Sequence, residues 1–376
     1  MKKVAIVNRT NLKNYGSVLQ VYALCEAVRL CGFVPEVVWE KGNLSKNWDV
    51  RPRKLLRVIL KMLLHPSLLV ETIKTILEVR GNKVPNIKAD KFDTFVYEHL
   101  NCKFYSYSKL KCLAASDEYH KFICGSDQVW CSTALYVDPM MYLCFAPKAK
   151  KIAYAPSLGR SYIPQYNVRQ MKRYIKEFDS ISVREEDGRH LVSVLVNRDV
   201  SLVLDPTLLL KKSEWSIIKS SVSHRNYILC YFLDPPKKDF LDWLYRFAEK
   251  ENLHIITLNN NISEMNDHVL LDVVGVDEFL GIIDEAELVL TDSYHGMLFS
   301  IIYQKRFWSI ERNYSQHDQS SRQKNILKLI GLENRYVKDP KLIDMSTIDY
   351  VKVSDSLDKE REKSLSFLQV ALNKSN

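Results

Sequence analysis

The sequence predicts an α/β protein of two consecutive halves that face a cleft, and three observations lead there. Short apolar runs rich in β-branched residues alternate with helical stripes along two long stretches of the chain. The connections between these runs are long enough to hold helices, which implies parallel strands. The polar residues with chemical potential fall just after the apolar runs, and open α/β sheets bind ligands outside the carboxyl ends of their strands.

The first half opens with the strand "KKVAIVN" (2–8) and the polar loop "RTNLKNYGS". "VLQVYALCEAVRLCG" (18–32) then carries apolar side chains at 18, 21, 22, 25 and 28, a helical face that Gly32 is placed to end. "FVPEVVWE" (33–40) completes a βαβ unit. Residues 41–120 break the rhythm. The stretch "RPRKLLRVILKMLLHPSLLVETIKTILEVRGNK" is basic at its start, largely apolar and interrupted at His65-Pro66, and it reads as a helical insertion. The alternation resumes with "HKFICGSDQVW" (120–130), "KKIAYAPSLG" (150–159), a helix near 163–178, "SISVREEDG" (180–188), a helix near 186–197 and "SLVLDPTLLL" (201–210).

The second half repeats the pattern. "NYILCYFL" (226–233) and "LHIITL" (253–258) flank the amphipathic "KKDFLDWLYRFAEK"; "VDEFLGIIDEA", the strand "ELVLT", the helix "SYHGMLFSIIY", the strand "RFWSI" (306–310) and the helix "SRQKNILKLIGL" follow. A charged helix over 354–373 ends the chain. The expectation is two Rossmann-like domains, 1–210 with its insertion and 211–376 with the terminal helix.

Composition narrows the function. With 46% apolar residues in 376, there is enough to build two cores, and 26% charged residues argue against global disorder. A net charge of +9 suits an anionic substrate, an acidic lipid surface or nucleic acid. Nucleic acid is disfavoured, because no helix-turn-helix or RNP-like pattern gathers the basic residues. The eight cysteines form no CxxC pair and the nine histidines lack ligand spacing, so no metal is expected. No signal peptide and no run of about 20 apolar residues is present, which implies a cytoplasmic protein, at most peripheral to a membrane.

Each post-strand motif has a chemical and a structural reading. Asn14 and Gly16 in "NYGSVLQ" let backbone approach an anion at a helix start, or form a tight turn with Ser17 as the cap. The segment is neither GxGxxG nor GxxxxGK[ST]. In "GSDQVW", Asp127 is a base for a sugar hydroxyl, with Ser126 beside it, or a turn residue. Ser157 in "YAPSLG" offers its hydroxyl to an anion or only closes a loop. Arg184 in "ISVREEDG" stands where a guanidinium can hold an anion bidentately; pairing with Glu185 is disfavoured because adjacent helical side chains diverge. His295 sits in the first turn of a helix, after Ser293 and Tyr294, where unpaired N–H groups favour a negative ligand. An anionic substrate there would favour the protonated imidazole and make it a proton donor. The basic residues Arg51, Arg53, Lys54, Arg57 and Lys61 suggest either docking on an anionic membrane or a helix whose leucines pack inward beneath a solvated basic face.

Taken in order, "NYGSVLQVYAL", "FICGSDQVW", "YAPSLG", "ISVREEDG", "VLDPTLLL", "TDSYHGMLFSIIY" and "LIGLENRY" resemble the polysaccharide pyruvyl transferase family over roughly 1–40 and 120–336. The resemblance implies a GT-B-like fold and transfer of a pyruvyl group from phosphoenolpyruvate to a sugar, usually as a cyclic ketal. The partners are then phosphoenolpyruvate and a glycan or lipid-linked oligosaccharide, with no cofactor. His295 matches the family's proposed general acid and Arg184 an arginine of the donor site. With these go Asp127 as base, Ser293, Ser157, Asn14 and Gly16 on the donor side, and Ser126 and Tyr294 on the acceptor side. Many members carry arginine where this chain has Ser293, so Arg306 or Arg322 is left to supply the second cation. Two other functions fit the residues. A nucleotide-sugar glycosyltransferase would need an acidic ribose contact, for which Glu285 and Glu287 are candidates. A silent sugar-binding protein would account for Ser293.

Overall fold

The computed structural model describes residues 1–9, 14–42, 51–66, 68, 86–258, 269–271, 273–312 and 320–374. Loop residues 10–13 and most of the apolar stretch 67–85 therefore lie outside the described residues.

The strands form two sheets, parallel at every pairing between named strands. The first runs in the order β3-β2-β1-β4-β5-β6-β7, with β1 Lys3–Val7, β2 Val34–Glu40, β3 Cys102–Tyr105, β4 Lys121–Cys124, β5 Lys151–Ala153, β6 Ser180–Val183 and β7 Ser201–Leu202. The second runs β10-β9-β8-β11-β12-β13, with β8 Tyr227–Tyr231, β9 His254–Leu258, β10 Val269–Leu271, β11 Leu288–Thr291, β12 Arg306–Ile310 and β13 Tyr336–Val337. In each sheet the order reverses beside a central strand, between β1 and β4 and between β8 and β11. Crevices open at these switch points in doubly wound sheets. Register runs from Val4 opposite Lys121 to Val7 opposite Cys124, and from Leu288 opposite Ile228 to Thr291 opposite Tyr231. Both central pairs are apolar on both faces, as strands covered by helices must be.

Helix α1 (Tyr15–Leu30) is buried along most of its circumference. Such a helix belongs inside a protein, not on its surface. It packs on its own sheet and on α9 (Val276–Glu285) and α10 (Tyr294–Ile302) of the second half. Tyr15 carries that contact. Its ring stacks on Phe279 with centroids 4.2 Å apart, and its hydroxyl donates to the Val274 carbonyl at 2.9 Å.

The segment read as a helical insertion contains α2 (Pro52–Leu64), α3 (Asn86–His99) and α4 (Tyr107–Ala115), and also β3. The four residues of β3 are half-exposed and alternate poorly, so an apolar pattern could not reveal an edge strand there. Lys91 of α3 reaches Glu278 at 2.7 Å and the Val273 carbonyl at 3.2 Å, so this segment also ties the halves together. "SLVLDPTLLL" is strand only at Ser201–Leu202. Pro206 has no N–H for a ladder, and Asp205 instead accepts from Thr207 N at 3.0 Å and starts a 3₁₀ turn.

Helices α5 (Gln165–Ile175) and α6 (Glu186–Val196) precede β7, the short α7 (Lys212–Trp215) lies between β7 and β8, and α8 (Lys238–Glu251) follows β8. After α11 (Ser321–Leu329), the final helix α12 (Tyr350–Asn373) returns to the first sheet's side. There Ser364 accepts from Leu204 N at 2.9 Å and Arg361 Nε donates to the Leu208 carbonyl at 2.9 Å.

Removing the aromatic ring that joins the halves is expected to cost more than removing its hydroxyl. Tyr15→Ala should lower unfolding free energy by about 3–5 kcal/mol and Tyr15→Phe by about 1 kcal/mol, read by urea titration. Equal small losses would show that the ring contributes little.

Candidate active site

The carboxyl ends of β1, β4, β5 and β6, the turn after β7 and the loop from β11 into α10 meet around one buried guanidinium. Arg184 follows β6 and its side chain has no exposed surface. Its Nη1 lies 2.5 Å from Asp205 Oδ2, its Nε 3.0 Å from Glu185 Oε1 and its Nη2 3.5 Å from Asp127 Oδ1. The pairing with Glu185 corrects the sequence argument against it. Helix α6 begins only at Glu186 and Glu185 is extended, so the divergence of neighbouring helical side chains does not apply.

Asp127 occupies a left-handed backbone position with φ of 73°, uncommon for a residue with a side chain. Its carbonyl accepts from Ser157 N at 2.8 Å, and its Oδ2 accepts from Ser17 Oγ at 2.9 Å. Burial pushes its carboxyl up, but Arg184, His295 and Ser17 together hold it below the ordinary range. Asp205 is held far lower still. There the opposing upward push of burial is overcome by His295 and Arg184, and Thr207 N and Oγ1 fix the other oxygen at 3.0 and 2.8 Å.

His295 comes from the second half, in the first turn of α10, with Nε2 3.7 Å from Asp205 Oδ2. The opposite side of its ring rests on Gly16. A Cβ built at residue 16 would stand 2.0 Å from His295 Nδ1 and 2.4 Å from Cγ. Glycine is needed here because an imidazole fills the space of a side chain, which locates the start of α1 against the start of α10. Tyr294 has two cations near its ring, Arg184 at 5.0 Å and Arg322 at 5.4 Å from its centroid. With its amide oxygen turned towards Arg322, Gln128 accepts from Nη1 at 3.0 Å and Nη2 at 3.3 Å. Burial, and after it the charge of Arg184, push the Arg322 guanidinium below its usual value.

The other predicted residues divide clearly. Asn14, not Ser17, caps α1, accepting from Gly16 N at 3.0 Å and Ser17 N at 3.4 Å. Ser17 is thereby free to donate to Asp127. Ser293 caps α10 by accepting from Gly296 N at 3.3 Å. Ser126 is fully buried, donating through Oγ to the Ala155 carbonyl and through N to Gln20 Oε1. Ser157 is equally buried and accepts from Gly159 N. These two serines shape loops and do not face a ligand, since their hydroxyls are spent inside the fold. Arg306 begins β12 and pairs with Glu287 at 3.8 Å, so it sits at the amino end of the sheet, away from the site. Asp205, Glu185, Gln128 and Ser17 were not assigned to the site from sequence. Asp205 did carry a signal, being an acid directly after an apolar run and before proline.

Two doubly wound sheets with polar residues gathered at their facing switch points define a GT-B-like protein. That fold is shared with a putative UDP-N-acetylglucosamine 2-epimerase from Listeria monocytogenes, at TM-score 0.50 and 11% identity over 96% of this chain and 91% of that one. A UDP-GlcNAc 2-epimerase from Neisseria meningitidis bound to UDP-GlcNAc is also similar, at TM-score 0.48 and 8% identity over 100% and 95%. Such low identities speak only of fold. No curated protein matches the sequence. Residues 14–314 match the family model for polysaccharide pyruvyl transferase, and the chain belongs to that family. Among the described residues no group of three His, Cys, Asp or Glu is placed to hold a metal, and no helix is long and apolar enough to cross a membrane.

Two substitutions test this geometry. Gly16→Ala should displace the His295 ring and lower turnover about a hundredfold, with a melting curve like that of the unaltered protein. Unchanged turnover would show that the ring's position is immaterial. Asp205→Asn should cost about 3 kcal/mol or more in urea unfolding, because Arg184 stays buried with less compensation. The carboxyls of Asp127 and Asp205 are depressed in the fold. Their stabilisation is complete above the unfolded carboxylate value of about pH 3.9 and is lost as pH falls towards the lower folded values. Asp205→Asn should therefore flatten the acid limb of the stability curve, and an identical limb would remove Asp205 from it.

Proposed function

We propose that this protein transfers a pyruvyl group from phosphoenolpyruvate to a sugar of a surface polysaccharide or its lipid-linked precursor, closing a pyruvate ketal. The observation that carries the reading is the meeting of His295, from the second half, with the Asp127 carboxylate of the first, and with the Arg322 guanidinium 5.4 Å from the Tyr294 ring centroid. An arginine and a histidine next to a helix N-terminus suit a small ligand with more than one negative group, and phosphoenolpyruvate has a carboxylate and a phosphate. Arg322 thereby takes the place of the family arginine missing at Ser293.

In this reading His295 gives its proton to C3 of the donor, and C2 gains oxocarbenium character. A sugar hydroxyl bonds to C2 while Asp127 receives its proton. The C2–O bond to phosphate then breaks, and a second hydroxyl of the same sugar attacks C2 and closes the ring, its proton leaving with phosphate. Asp127, held low by Arg184 and His295, is a weak base until the donor anion draws on the charge of those neighbours. Asp205 lies 3.7 Å from His295 Nε2, where its charge favours the protonated imidazole, and the proton transfer is left to the imidazole itself. No step calls for a metal.

Membership of the family favours this reading over a nucleotide-sugar glycosyltransferase. The two acids considered for ribose are placed badly for it. Glu287 N donates to the Tyr227 carbonyl just ahead of β11, and Glu285 faces Arg225, both at the amino end of the second sheet.

The test is phosphate release from phosphoenolpyruvate in the presence of a glycan acceptor, compared with nucleotide release from UDP- and GDP-sugars. Phosphate release that survives EDTA and is abolished in His295→Ala is expected. Nucleotide release, or activity lost with EDTA and restored by magnesium or manganese, would replace the proposal with the glycosyltransferase. Arg184→Ala is a poor test of donor binding, because it strands three carboxylates within a buried network.

A further inference from the structure

Helix α2 is turned the opposite way from an ordinary surface helix. Its basic residues hold it to the body of the protein. Arg51 at its start ion-pairs with Glu40 and Asp138, and Arg53 pairs with Glu40 at 2.5 Å and lies 4.6 Å over the Tyr107 ring. A turn before its end, Lys61 bonds the Asn167 side chain and sits 4.7 Å over the Tyr166 ring. These contacts come from both ends of the helix and fix its roll. The face left outward is apolar: Leu55, Leu56, Ile59, Leu60, Leu63 and Leu64, with relative exposures from 46% to 77%. No residue of the helix itself is buried.

The reading in which the leucines pack inward is thereby corrected, and the docking reading changes its means. The leucines do not pack inward under a solvated basic face, and most of the cations proposed for docking are engaged within the protein. A contiguous stripe of six large apolar side chains is more than a monomer ordinarily leaves to water. Its spacing of three and four residues is that of a helix lying in an interface, with its apolar face sunk below the surface.

We propose that α2 docks this protein on an anionic lipid bilayer by inserting that leucine face. The charge around the face fits such a surface. No acidic residue occurs between positions 51 and 70, Arg57 is exposed on the helix, and the whole chain carries +9. A bilayer also accepts a convex row of side chains without a matching groove. The inference does not depend on what the site catalyses, and its readout is binding, not turnover.

The experiment is sedimentation of the full chain with vesicles of phosphatidylcholine alone or mixed equally with phosphatidylglycerol, at low and high salt. The protein should sediment with the mixed vesicles and keep part of that binding at high salt, because insertion is apolar. Leu56→Gln, Leu60→Gln and Leu63→Gln together should lower partitioning by about tenfold or more with an unchanged melting curve, since all three side chains are exposed. Binding by the triple variant equal to that of the unaltered protein overturns the proposal. So does failure of the unaltered protein to bind either vesicle, which means that the face is already covered. A dimer without vesicles that the triple variant converts to monomer overturns it in favour of a second copy as the occupant.

Discussion

A guanidinium taken fully out of water governs the arrangement of the site. The desolvation of Arg184 is tolerable only with carboxylates at hydrogen-bonding distance, and these arrive from three places in the first sheet. Asp127 comes after β4, Glu185 after β6 and Asp205 after β7. Each must hold its loop in one conformation to reach Arg184. The same Oδ2 of Asp205 that meets Arg184 lies 3.7 Å from His295 Nε2, so the charge balance of one half determines what the other half faces.

The start of α1 shows the same economy of space. Asn14 closes the helix end, Ser17 turns to Asp127, and Gly16 leaves room for the His295 ring. Two helix N-termini therefore converge at one point, each with its partial positive charge. Tyr294 has both Arg184 and Arg322 within 5.4 Å of its ring centroid, and burial pushes its phenol far up, which keeps it neutral.

Much of this was legible in the sequence because periodicity reports burial. The central strands of both sheets and the helices between them are long apolar patterns with capped ends, and the reactive residues stand directly after them. The short edge strands β3, β10 and β13 were not legible, having only two to four residues. The site was readable as a set of positions and less so as a set of roles. Ser126 and Ser157 look like ligand contacts in "GSD" and "PSLG", yet each is used by a neighbouring loop. Asp205 gains its role only through Arg184 and His295, at 21 and 90 positions' remove in a chain that brings them together by folding. The roll of α2 was equally hidden. Its amphipathic pattern is the same whichever face turns inward, and the decision belongs to Glu40, Asp138 and Asn167, none of them in the helix.

The return of α12 has a mechanical meaning. The chain passes between the sheets once after β7 and again after β13, and α12 is then fastened to the first half through Leu204, Leu208 and, by Gln369, the Cys31 carbonyl. Two covalent crossings act as a pair of pivots. Pulling the halves straight apart would stretch both at once and split the continuous core formed by Tyr15, Phe279 and Phe299. Rotation about the line joining the crossings stretches the chain far less than straight separation does, so any opening of the cleft is constrained to a swing about one axis.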